Sequence, residues 1–100
     1  MTADEKFGAL LRSVRVMRRI PRRVIAASLG VAETTVFYLE QEGRLCRRKL
    51  EQIAKAYNIE LSKLVGSYSE FKRQELSEKD EDWGEVARLA SQLVGPEEAE

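Results

Sequence analysis

Ala26, Gly30, Val36 and Leu39 stand at offsets that leave the segment from Arg22 to Leu39 few ways to fold. Ile25, Ala26 and Leu29 make one apolar helical face, and Gly30 follows it directly. Glycine takes a positive φ without a Cβ penalty, so a helix ending there can turn within three or four residues. Val36 and Leu39 then recur at helical spacing and pin the next helix to a core, which leaves its opposite face free. Ala26 is small, as a close crossing between the two helices requires. Val31 fills the turn between them.

The same logic divides the rest of the chain. Phe7, Leu10, Leu11, Val14 and Met17 predict a first helix. Thr2 and Glu5 form a capping box at its start, and Arg15, Arg18 and Arg19 suit the negative end of its dipole. Pro21 fits the first turn of the second helix. The third is expected from about Ala32 to Gln41, stopped by Gly43. Leu50, Ile53, Ala54 and Tyr57 give a fourth, closed by Asn58, and a short fifth carries Ile59, Leu61, Leu64 and Val65. The expected fold class is all-α: a five-helix domain over residues 1–66, bounded at Gly66-Ser67, with a C-terminal helical extension over 67–100. In that extension Tyr68, Phe71 and Leu76 suggest a short helix. Trp83, Val86, Ala87, Ala90, Leu93 and Val94 lie on one face of another, with Asp80, Glu81 and Asp82 at its positive end and Gly95-Pro96 beyond it.

Net charge is zero, yet it is divided along the chain. Residues 1–65 hold 13 Lys and Arg against 7 Asp and Glu, and residues 66–100 hold 4 against 10. A basic head with an acidic tail points to a polyanionic partner for the head, although two solvated surfaces would give the same count. The chain has no histidine, which removes the commonest general base and most zinc sites. With no phosphate-cradling glycine loop either, neither an enzyme nor a cofactor is expected. No apolar run approaches the roughly 18 residues of a membrane span. The acidic start Met1-Thr2-Ala3-Asp4-Glu5 does not read as a signal peptide. The single cysteine, Cys46, has no partner for an internal disulfide, so a cytoplasmic location is expected.

Residues 5–66 resemble the lambda-repressor-like (Cro/Xre-type) helix-turn-helix domains. The resemblance rests on Phe7-Gly8-x-x-Leu11-Arg12, Ala26, Leu29-Gly30-Val31, Val36-x-x-Leu39-Glu40 and Leu50-x-x-Ile53-Ala54-x-x-Tyr57-Asn58-Ile59. It implies a sequence-specific transcriptional regulator, a repressor rather than an activator, that binds an inverted-repeat operator in double-stranded DNA as a dimer. The base-reading positions it implies, at the start and along the exposed face of the third helix, are Glu33, Thr34, Phe37, Tyr38 and Gln41, with Ala32 ahead of them. The phosphate-binding positions are Arg22, where the family usually carries Gln, with Arg23, Arg44, Arg47 and Arg48.

An acid and two adjacent aromatics on the reading face depart from the family's usual Arg, Ser or Gln. Glu33 can accept from a cytosine amino group, and Thr34 and Phe37 can pack on a thymine methyl. Phe37 and Tyr38 also suit a protein anchor, which keeps open a protein-interaction module, such as an antitoxin or co-regulator; partial burial under the basic loop or second helix is a third reading. The apolar stripe Trp83, Val86, Ala90 and Leu93 either folds back on its own domain or meets its copy. Dimerisation is the expectation, because operators read by this motif usually have two half-sites. Cys46 is expected to be an inert thiol.

Overall fold

A computed structural model describes residues 2–43, 49–76 and 83–94, and all regular structure among them is helical. Six helices follow in order: α1 (Ala3–Met17), α2 (Arg22–Leu29), α3 (Glu33–Glu42), α4 (Leu50–Tyr57), α5 (Leu61–Leu76) and α6 (Trp83–Val94).

The ends of the elements are set by local chemistry. Thr2 Oγ1 accepts from the Glu5 amide at 3.1 Å while Glu5 Oε1 accepts from the Thr2 amide at 2.8 Å, so two otherwise orphaned donors of α1 are satisfied reciprocally. The bond from the Thr2 backbone also holds the Glu5 carboxyl below its ordinary pKa. Pro21 caps α2 from an extended conformation instead of lying within its first turn. Gly30, with φ of 70°, ends α2 in the left-handed region. Gly43 and Asn58 end α3 and α4 in the same way. At the end of α1 the left-handed residue is Arg19, with φ of 58°, and the Ile20 amide donates back to the Arg15 carbonyl. The backbone therefore closes the helix although no glycine is present.

α1 is the central element. α3, α6, α5 and α4 all pack on it, α2 packs on α3 and α4, and α5 packs on α4 and α6. Phe7, Leu10, Leu11 and Val14 are fully buried between these neighbours, with Ile25, Val36, Leu39, Ile53, Tyr57 and Leu64. Gly8 allows the close approach of α3, since a Cβ there would stand 2.5 Å from the Glu40 carbonyl oxygen.

Three expectations change. The fifth helix does not stop at Gly66-Ser67 but runs on to Leu76, absorbing the short helix expected at Tyr68 and Phe71. Burial of Leu64 and Phe71 in one core outweighs the weak helix propensity of Gly66, and Ser67 Oγ donates to the Lys63 carbonyl at 3.1 Å within the helix. Met17, Leu61 and Val65, part of the apolar pattern that predicts the first and fifth helices, are exposed, because the neighbouring helices cover a different arc. Val86, Ala90 and Val94 of the extension are buried in the same core as the first five helices, whereas Ala87 is exposed. No described helix is long and apolar enough to cross a membrane.

Candidate nucleic-acid interface

α3 divides into two faces. Val36, Leu39 and Glu40 are buried against α1 and α2, while Glu33, Thr34, Phe37, Tyr38 and Gln41 are exposed together on the other side. Burial of the first set dictates this division: at about 100° per residue, positions 33, 34, 37, 38 and 41 fall on the opposite arc. The N-cap, Ala32, supplies no side-chain acceptor, so the first amides of α3 keep a positive end, which favours Glu33 in the first turn.

Phe37 is 39% and Tyr38 50% exposed. Their rings meet edge to face, with centroids 5.5 Å apart at 78°. The Arg22 guanidinium lies over the Phe37 ring, 5.4 Å from its centroid. Arg22 is the first residue of α2, so the start of α2 and the exposed face of α3 form one corner of the molecule. Arg23 beside it is exposed.

Behind this corner lies an ionic cluster that hydropathy patterning does not reveal. Glu40 is buried and accepts from Arg15 Nε at 2.8 Å and Nη2 at 3.2 Å, and from the Tyr57 hydroxyl at 2.8 Å. Arg15 Nη1 also donates to the Ile20 carbonyl at 3.0 Å. Arg22 Nε stands 3.9 Å from Glu40 Oε1, an ion pair too long for a hydrogen bond. Burial, then the Glu40 charge and the bond to it, push the Tyr57 hydroxyl well above the ordinary tyrosine range. The available sequence signal was positional: Arg15 and Glu40 each follow a core residue, Val14 and Leu39, on an inward arc. Arg15 was expected to serve only the helix dipole.

Arg44, Arg47, Arg48 and Cys46 lie outside the described residues. Of the expected dimerisation residues, Val86 and Ala90 are buried within the chain and Leu93 is half-buried, while the Trp83 side chain lies outside the description. The stripe folds back because α6 lies along α1 and covers its apolar surface; Val86 and Ala90 are therefore not available to a second copy while α6 is docked.

Elsewhere, an open groove of about 420 Å³ runs between α5 and α6, lined by Lys63, Gly66, Ser67, Leu89, Gln92 and Leu93. It brings together no acid–base pair. The described residues contain no cluster of three or more potential metal ligands. No family model, curated protein or solved structure matches the chain.

Proposed function

We propose that this protein binds double-stranded DNA, laying the exposed face of α3 in the major groove, and acts as a sequence-specific regulator of the helix-turn-helix type. One observation carries the reading: α2, the left-handed Gly30 and α3 hold Glu33, Thr34, Phe37, Tyr38 and Gln41 outward on a helix whose other face is locked in the core. A helix presented in this way matches the width of the major groove, and its first turns reach base edges. Arg22 and Arg23 at the start of α2 supply guanidinium forks for backbone phosphates, and Arg44, Arg47 and Arg48 add positive charge in the sequence just after α3. Repression from an inverted repeat is the regulatory mode that fits such a reader, each half-site taking one copy.

Selection from random duplex DNA tests this. The expected result is enrichment of a short motif, and of cytosine at a position read by Glu33. Glu33→Gln then relaxes that preference by about 1–3 kcal/mol of discrimination, and nonspecific affinity rises as a negative charge leaves the phosphate surface. An identical cytosine preference in both proteins contradicts direct readout by Glu33.

The exposed aromatic pair favours a second reading, a protein-interaction module that uses Phe37 and Tyr38 as anchors. It predicts no enrichment from random duplexes and a protein complex that Phe37→Ala and Tyr38→Ala abolish.

A further inference from the structure

We infer that Phe37 is a positioning residue: its ring holds the Arg22 guanidinium at the α2–α3 corner, ready for a phosphate of the DNA backbone, and does not itself read a base. The inference rests on the DNA-binding reading above and assigns a division of labour within that surface.

Two guanidiniums, Arg15 and Arg22, share the single carboxylate of Glu40. Arg15 takes both oxygens by hydrogen bonds, and Tyr57 adds a third bond. Arg22 is left with the field of Glu40 at 3.9 Å but no hydrogen bond from its Nε. One positive charge at this corner is therefore not neutralised within the cluster, and it sits on a side chain that is 40% exposed. An arginine on a flexible stem loses entropy when it is fixed for binding. Here the stem is already constrained, by Glu40 from within and by the face of Phe37 from outside. Arg22 Nε is itself buried, so it is the outer end of the guanidinium, on a side chain 40% exposed, that offers its surplus charge and N–H groups to a phosphate oxyanion. Phe37, for its part, has Arg22 over its ring and Tyr38 against it, which leaves less of that ring for a thymine methyl.

The test compares wild type with Phe37→Leu, Phe37→Tyr, Arg22→Ala and the double variant Arg22→Ala/Phe37→Leu, all confirmed folded by thermal melting. Binding to a mixed-sequence duplex is followed by fluorescence anisotropy over a range of salt. Phe37→Leu is expected to weaken binding about two- to fivefold, the loss of one partly exposed cation–π contact, while Phe37→Tyr keeps wild-type affinity. Arg22→Ala makes the log–log salt slope shallower by roughly 0.9, and the double variant is no weaker than Arg22→Ala alone. In the free protein, Phe37→Leu also moves the Arg22 side-chain proton resonances, as the ring current is removed, and Phe37→Tyr does not. If wild type binds and Phe37→Leu matches it in affinity and slope, or if the two substitutions add independently, the inference falls and DNA binding stands. If wild type binds no duplex, both fall.

Discussion

Glu40 is the residue on which the interior is most finely balanced. A buried carboxylate is tolerated only when its oxygens are satisfied, and here Arg15 and Tyr57 satisfy them. Removing one partner leaves charge stranded, so Glu40→Ala is expected to be far more harmful than the loss of a surface ion pair such as Lys55–Glu51. Tyr57 offers the milder probe. Its hydroxyl ionises at higher pH in the folded protein than its ordinary value of 10.0, because burial and the Glu40 charge oppose a second anion. A raised folded-state pKa contributes stability that is fully present below the unfolded value and is lost as pH rises through the folded one. Wild type is thus expected to lose stability above about pH 10 partly through Tyr57. Tyr57→Phe should be less stable by about 1–2 kcal/mol near neutrality and lose less on further alkalinisation. Denaturant midpoints at pH 7 and above pH 10 check both statements.

Among the elements, the connections decide how much the sequence can reveal. The caps at Thr2, Gly30, Gly43 and Asn58 were legible because each is decided by its own residue and the few around it. The two faces of α3 were legible from the spacing of Val36 and Leu39. The continuity of α5 was not, because Gly66-Ser67 is locally a poor helix segment and only the distant partners of Leu64 and Phe71 override it. The destination of α6 was open for a related reason: an amphipathic face announces that it will be covered, not by what. Arg18 helps to fix that destination. Its Nη1 donates to the Tyr57 carbonyl at 2.6 Å and also to that of Asn58, and its Nη2 donates to the Leu93 carbonyl at 3.2 Å. One guanidinium thus meets the negative ends of both α4 and α6. Arg18→Ala is expected to lower stability by about 1–3 kcal/mol, measured by chemical denaturation. Val86→Ala should cost about 2 kcal/mol, from two buried carbons and the space they leave. If α6 is an internal cover, the wild-type melting temperature is independent of protein concentration and Val86→Ala lowers it equally at every concentration. A midpoint that climbs with concentration would show the stripe serving a dimer instead.

On the scale of the whole molecule, the proposed reading surface stands apart from the last helix. α6 packs on α1 and α5, whereas α3 packs on α1 and α2, so the last helix and the proposed reading helix share a neighbour but do not meet each other. The arrangement sets Arg22, Arg23 and the outer face of α3 apart from the α5–α6 groove. On the proposed DNA-binding reading, a duplex meets the α2–α3 corner, where Arg22 and Arg23 stand, and not the α5–α6 groove. Mapping backbone amide shifts of the isotope-labelled full chain, titrated with a mixed-sequence duplex at low salt, tests this most directly. The predicted result is a continuous set of perturbations at Arg22, Arg23, Glu33, Thr34, Phe37, Tyr38 and Gln41, with Leu61, Val65 and Leu89 unmoved. The absence of any shift, or shifts centred on the α5–α6 groove with α3 silent, would contradict it.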